Sequence, residues 1–364
     1  MKNLFDETQI GEIVLKNRFV RSATWERLAN EKGEPKGDLF RVYEDLAIGD
    51  IGLIITGLSS IIEGEQPHPG MMGIYNDRFH GTYKRLTERV HELGGQIAMQ
   101  IGYGGTRTHF QTEKRIIWGP SEIPELNTGV VAKEMSLEDI TTLIQAFGDA
   151  AGRVKKAGFD GVQVHGAHGY LLGQFLSPYH NRRLDQYGGT ISNRARLILD
   201  VYSEIRSRVG FSFPVLIKIN SSDCISEGST LQDCLYTCRE LVKMGIDAIE
   251  LSGGVKLAGN PYSPVRFVAS EAEEAYFAKE ATAIAEELDI PVILVGGLRS
   301  LNVMQRLLND TKIDCFAMSR PFLAEPKLIA RWRSGDYSKS KCLSCNQCKT
   351  DSGNYCKVFK NKKI

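Results

Sequence analysis

Gly158-Phe159-Asp160-Gly161-Val162-Gln163-Val164-His165-Gly166-Ala167-His168-Gly169-Tyr170 decides how this chain is read. Val162 and Val164 alternate with Gln163 between turn glycines, the pattern of a buried strand. The strand stops at His165. Three protic side chains, His165, His168 and Tyr170, then crowd into six positions where the strand opens into a loop. A site that binds an electronegative group and hands it a proton has a use for them there; packing alone has little.

The punctuation before this strand recurs. Gly49-Asp50-Ile51-Gly52, Gly158-Phe159-Asp160-Gly161 and Gly245-Ile246-Asp247-Ala248 each part a helical pattern from an apolar run. Glycine suits the left-handed residue that ends a helix. Strands are expected at Phe19 to Ser22, Ile51 to Thr56, Gln96 to Ile101, Gly161 to His165, Val215 to Asn220, Ala248 to Ser252, Val292 to Val295 and Cys315 to Ser319. Helices are expected near 38–48, 77–93, 136–157, 191–209, 230–244, 270–288, 300–309 and 326–334. Eight strand–helix units predict an α/β fold, a (β/α)8 TIM barrel. A doubly wound sheet is disfavoured because no G-x-G-x-x-G follows the first strand. A bare barrel takes about 250 residues, so roughly 100 remain. They fall in long loops at 102–135, 166–190 and 253–269, beyond strand C-terminal ends, and in a tail. The division expected is a barrel over 1–334 and a Cys-containing tail over 335–364.

Composition excludes several function classes. The 45 basic and 44 acidic residues nearly cancel, which argues against a nucleic-acid surface. The longest apolar stretch, Ile51 to Ile62, is too short and interrupted to span a bilayer. Met1-Lys2-Asn3 leads into Asp6-Glu7 rather than an apolar leader. Of 8 cysteines, Cys224, Cys234, Cys238 and Cys315 are scattered, which is no secreted disulfide framework. A cytoplasmic enzyme with a small-molecule substrate is expected; homo-oligomerisation is left open.

The strand ends nominate the site. The third ends near Gln100, the fourth at His165, and the fifth carries Lys218 in Pro214-Val215-Leu216-Ile217-Lys218-Ile219-Asn220. Lysine is rarely buried without a partner, so Lys218 reads as a fixed charge facing an electron-rich ligand, against the alternative of a buried stem with a solvated head. Gly296-Gly297 follows the seventh strand and Ser319-Arg320 the eighth. In barrels these two loops often hold a phosphate, with helix-start N–H groups close to it. His165 and His168 could serve a metal as His-x-x-His, but no third ligand is obvious nearby. The reading preferred is two hydrogen-bond donors for a carbonyl, nitro or carboxylate oxygen, with Tyr170 as proton donor. Tyr103, in Gly102-Tyr103-Gly104-Gly105, is a further candidate for the same pocket.

His165-Gly166-Ala167-His168-Gly169-Tyr170-Leu171-Leu172-Gly173-Gln174-Phe175-Leu176-Ser177-Pro178, followed by Asn181-Arg182-Arg183-Leu184-Asp185-Gln186-Tyr187-Gly188-Gly189 and Asn193-Arg194, resembles the signature of the Old Yellow Enzyme family, NAD(P)H-dependent flavin oxidoreductases. The likeness runs from about Leu4 to Pro326. It implies FMN held without a covalent bond at the barrel mouth. By resemblance Gln100 meets the flavin pyrimidine edge, Lys218 lies beside flavin N1 and O2, and backbone around Ala23 and Thr24 lies against the isoalloxazine. Gly296, Gly297, Ser319 and Arg320 fall at the FMN phosphate, His165 and His168 grip the substrate's electron-withdrawing group, and Tyr170 gives the proton. There are two departures. Ala23-Thr24 stands for the more usual Pro-Met, and Trp25 for threonine or cysteine, which narrows the substrate pocket or alters the redox potential. The activity implied is reduction of an electron-poor C=C bond, with hydride from flavin N5 and the proton from Tyr170. An oxidative FMN amine or alcohol dehydrogenase, and a flavin-binding protein without turnover, are the alternatives.

Cys342, Cys345, Cys348 and Cys356 cluster near the C-terminus. Clustered thiolates can take zinc or a [4Fe-4S] cluster. The larger dienoyl-CoA reductases carry a similar group with different spacing. Against a metal stands a reduced, solvated tail ending in the basic run 357–363.

Overall fold

The computed structural model describes residues 1–257, 262–350 and 352–359. Eight parallel strands form its centre: β1 (Phe19–Arg21), β2 (Leu53–Ile55), β3 (Ile97–Gly102), β4 (Gly161–Gly166), β5 (Val215–Asn220), β6 (Ala248–Ser252), β7 (Val292–Val295) and β8 (Cys315–Met318). Each pairs with the next in sequence, and β8 returns to β1, so the sheet closes on itself. The helices between them are α1 (Gly37–Ile48), α2 (His80–Glu92), α3 (Leu137–Lys156), α4 (Ile191–Val209), α5 (Leu231–Lys243), α6 (Ala278–Glu287), α7 (Leu301–Asp310) and α8 (Leu328–Arg333). This is the expected (β/α)8 barrel. Capping boxes at Ser136/Asp139 and Thr230/Asp233 start α3 and α5. The sixth helix is shorter than its sequence pattern: a single turn, Glu271–Glu273, precedes α6. Among the described residues no helix is long and apolar enough to cross a membrane.

The recurring glycine–aspartate punctuation has a structural cause. Gly158 and Gly245 are left-handed, with φ of 81° and 88°. Gly49 departs from the expectation: its φ is −70°, and Asp50 carries the positive φ of 65° instead. Glycine is needed at 49 for space, since a Cβ would lie 2.1 Å from the carbonyl oxygen of Pro326. The aspartates cap neighbouring strands. Asp160 accepts the Ile97 N–H at 2.7 Å, and Asp247 accepts that of Val215 at 2.8 Å.

Inside the barrel, residues two apart face the axis, as the pleat requires. The lower part is apolar, with Leu53, Ala98, Leu216, Ala248, Ile293 and Cys315 in one buried cluster. An N-terminal hairpin, Thr8–Ile10 against Ile13–Leu15, inserts Ile10, Ile13 and Leu15 into that cluster and closes the strands' N-terminal ends. Its three-residue strands gave no sequence signal. One step up, the inward positions are polar: Gln100, Gln163, Lys218 and Glu250. The barrel is thus sealed below and chemically active above.

Candidate active site

The polar layer is one connected network. Lys218 on β5 stands opposite Glu250 on β6, and their side chains meet at 3.0 Å with almost no exposure. Glu250 Oε1 also accepts the Ser22 hydroxyl at 2.6 Å, and Lys218 donates to that hydroxyl at 2.7 Å. Glu250 Oε2 accepts from the Gln163 amide at 2.7 Å, and Gln163 Oε1 accepts from Gln100 Nε2 at 2.7 Å. Gln100 and Lys218 therefore hang from one buried carboxylate. Lys218 is an ion pair rather than the lone charge its strand suggests.

The loop after β1 is pinned from behind. Arg21 and Glu26 form a buried pair at 2.7 Å, and Tyr43 on α1 donates to the same carboxylate at 2.7 Å. Between these anchors Ala23, Thr24 and Trp25 are presented upward. Thr24 and Ser319 share a hydroxyl–hydroxyl bond of 2.7 Å, joining the ends of β1 and β8.

His165, His168 and Tyr170 converge above this floor. The His165 ring lies 5.3 Å from that of His168 and 4.7 Å from that of Tyr170. His168 sits in a left-handed turn, φ 60°, held by its N–H to Asn220 Oδ1 at 3.1 Å and by Nε2 to Ser252 Oγ at 2.7 Å. Burial, with Lys218 nearby, pushes the His165 imidazole down to about 3. The same two causes hold His168 well below its ordinary value. Both rings are therefore neutral donors near pH 7. Burial pushes the Tyr170 phenol up to about 12, partly offset by Arg107, so it stays protonated.

A cavity of about 560 Å³ opens over these groups, within the ~300–1,000 Å³ of sites that take cofactors and small ligands. Ala23, Thr24, Trp25, His168, Tyr170, Lys218, Gly296, Gly297, Ser319 and Arg320 all line it. His165 is buried behind His168, and Gln100 is buried at the floor. Tyr103 is placed otherwise than expected. Its ring belongs to the apolar core and not to the cavity wall.

A sequence model described as the NADH:flavin oxidoreductase / NADH oxidase family matches residues 3–339. The chain belongs to this family. It is 32% identical over 94% of its length to an NADH oxidase of Thermoanaerobacter brockii, of which it spans 53%. It is 29% identical over 89% of its length to an NADPH dehydrogenase of Bacillus subtilis (strain 168), covering 92% of that protein. A solved structure of morphinone reductase in complex with tetrahydroNAD superposes with a TM-score of 0.78 at 25% identity, covering 92% of this chain and 91% of that one. The chain thus spans about half the length of some of the relatives it matches and nearly all of others.

The side chains fit the flavin of this family. Arg320 donates to the Arg266 carbonyl, Ser344 Oγ and Asn346 Oδ1, all neutral, so its charge is left for an anion. Arg299 Nε and His165 Nδ1 are buried without a hydrogen-bond partner. Gly297, at φ 72°, leaves no room for a Cβ, which would meet the Tyr276 ring at 2.8 Å. Such a turn brings backbone close to a phosphate.

Four residues that matter here escape the strand-end reading: Glu250, Gln163, Asn220 and Ser252. Glu250 and Ser252 both lie on the sixth strand. A carboxylate inside Ala248-Ile249-Glu250-Leu251-Ser252 is as conspicuous as Lys218 in its own strand.

The tail also reaches the site of this family member. Cys342, Ser344, Asn346 and Lys349 line the cavity. Asn354 donates its N–H to the Glu26 carbonyl and its amide to that of Trp25. The zinc or [4Fe-4S] cluster that Cys342, Cys345, Cys348 and Cys356 could take finds no support. Among the described residues no three His, Cys, Asp or Glu side chains are arranged to hold a metal. Burial and then the neighbouring thiols Cys342, Cys356 and Cys345 raise the Cys348 thiol to about 11. Cys342 Sγ accepts the Ser344 N–H, and Cys356 Sγ that of Phe359, each at 3.4 Å. Residues 360–363 of the basic run lie outside the described residues.

Proposed function

We propose that the chain reduces an electron-poor C=C bond with NAD(P)H, through FMN. FMN, when bound, supplies the hydride carrier that the two substrates share in turn. Lys218 and Gln100 would hold its pyrimidine side, and Gly296, Gly297, Ser319 and Arg320 its phosphate. The observation that carries the reading is the meeting of the neutral His168 imidazole and the protonated Tyr170 phenol at the cavity that Lys218 floors, with the His165 ring packed 5.3 Å and 4.7 Å from theirs.

The chemistry of these residues follows from their protonation. A neutral imidazole N–H donates to a carbonyl or nitro oxygen and takes up charge that develops there. Ser252 and Asn220 fix the His168 ring and backbone, so that donor is preorganised. Tyr170, at about 12, is too weak an acid to lose its proton to water near pH 7, yet acid enough for a substrate carbanion. Family membership and relatives named NADH oxidase, NADPH dehydrogenase and morphinone reductase support the same reading.

The test is a visible spectrum of the purified protein before and after anaerobic NADH or NADPH, then after an enone such as 2-cyclohexenone. A yellow protein that bleaches with the nicotinamide and recovers its colour with the enone supports the proposal. Recovery with oxygen but no alkene, or bleaching by an amine or alcohol instead, overturns it.

A further inference from the structure

The cavity wall carries Arg107, Lys218, Lys256, Arg299, Arg320 and Lys349 and, among the described residues, no carboxylate. In a chain of net charge +1, that concentration of one sign is a local construction. Three of these cations are accounted for. Lys218 has Glu250 at 3.0 Å, and Arg299 and Arg320 flank the turns that suit the flavin phosphate. Arg107, Lys256 and Lys349 remain, on the side of Tyr170 and His168. They come from three separate segments: the loop after β3, the loop after β6, and the tail.

Of these three, Arg107 has a carboxylate partner, and Lys349 lies among other cations. Arg107 keeps Glu125 at 3.2 Å. The Lys349 amine lies 5.2 Å from the centre of the Trp25 ring, and the charges that act on it are all positive: Lys256, Arg27 and Arg107. His68 and His109, 4.6 Å apart, lie beside the same group; burial first, and then neighbouring positive charge, holds both imidazoles down, His68 to about 2. Like charges brought together at a ligand cavity repel unless an anion joins them.

We propose that Arg107, Lys256 and Lys349 form a subsite for an anionic group of the alkene, so that the enzyme's substrates are acids bearing a carboxylate or phosphate. The proposal rests on the ene-reductase reading and deepens it. Lys256 and Lys349 are exposed side chains that can follow a ligand, whereas Arg107 is fixed from behind by Glu125. The tail is then a working part of the site: it brings the lysine that closes the subsite over Trp25.

The experiment uses the full chain loaded with FMN, as wild type and as Lys256→Gln, Lys349→Gln and the double variant. Binding is read from the shift of the flavin absorbance with crotonate, crotonyl-CoA, neutral ethyl crotonate and, separately, NADH. We expect the double variant to bind crotonate or crotonyl-CoA about 10- to 100-fold more weakly, as for loss of charge-assisted contacts. Ethyl crotonate and NADH should hold within about threefold, and the wild-type preference for the acids should fade with salt. Weakening of crotonate assigns the subsite to a carboxylate; weakening of the thioester alone assigns it to phosphate. Equal effects on charged and neutral alkenes, no effect on either acid, or a loss confined to NADH would overturn the proposal. Charge-selective binding without reoxidation of reduced flavin by any alkene would leave the subsite standing and defeat the ene-reductase reading.

Discussion

Glu250→Gln removes one charge and changes almost no volume, which makes it a sharp test of the network below the cavity. Glu250 is fully buried and takes three donors: Lys218, Ser22 and Gln163. A glutamine offers one oxygen to them and turns an NH2 group toward the rest. If the oxygen faces Lys218 and Ser22, the new amide confronts the Gln163 amide, which must flip and in turn confront Gln100. If it faces Gln163, Lys218 is left charged and buried beside a donor. Either arrangement breaks a buried pair from one side, at a cost of about 3–5 kcal/mol. With a urea m-value near the upper end of ~1–3 kcal/mol/M, the midpoint should fall by about 1 M or more. FMN affinity should fall about tenfold, because Gln100 and Lys218 both lose their anchor. Lys218→Met with Glu250→Leu should recover at least half of the lost stability, since apolar replacements of a buried pair are often close to neutral. Denaturation of the FMN-free protein followed by circular dichroism, with FMN titration by fluorescence quenching, reads both quantities. A Glu250→Gln midpoint within about 0.3 M of wild type and unchanged FMN binding would show that the network carries neither stability nor cofactor.

Other outcomes are expected. Tyr170→Phe should lower the rate of alkene reduction by about 10²- to 10⁴-fold while leaving flavin reduction by NAD(P)H within severalfold, as rapid mixing of the two half-reactions would show. Binding of a neutral carbonyl ligand should be flat from pH 6 to 9, because His165 at about 3 and Tyr170 at about 12 do not titrate between them. The depressed His165 also sets a stability trend. Below pH 6.5 the unfolded imidazole takes a proton that the folded one refuses until about 3, so stability is lost on acidification through that window. The loss attributable to His165 is on the order of 2 kcal/mol at pH 5, and urea curves of His165→Gln should lack that part of the slope. Gly297→Ala should cost about 1–3 kcal/mol through the positive φ and the contact with Tyr276, and should weaken FMN binding.

The barrel was legible because several of its units repeat the same local statement: a helix stop, an aspartate that caps the start of the preceding strand, and an apolar run. Those are interactions within a few residues or between adjacent strands, and a sequence displays them directly. The hairpin below and the tail above were not, for a common reason. Ile10, Ile13 and Leu15 are held by a cluster drawn from the strands, and Lys349 by Trp25, with no local pattern announcing either. The tail's spacing spoke of four clustered thiols, while its packing delivers one of them, Cys342, together with an asparagine, a serine and a lysine to the cavity.

Glu250 belongs to neither case, because the information for it was present. In a closed parallel barrel the inward residues stack in layers, and adjacent strands set them side by side. A lysine inside an otherwise apolar strand needs an opposite charge at the same height on a neighbour. Lys218 is fourth in Val215–Asn220, and a search of the flanking strands for an acid at an inward position finds Glu250 alone. Applied one layer higher, the same rule picks Asn220 and Ser252, which hold His168 in its turn. The site is therefore better read by layers than by strand ends: each buried polar residue in such a barrel specifies what its neighbours must be.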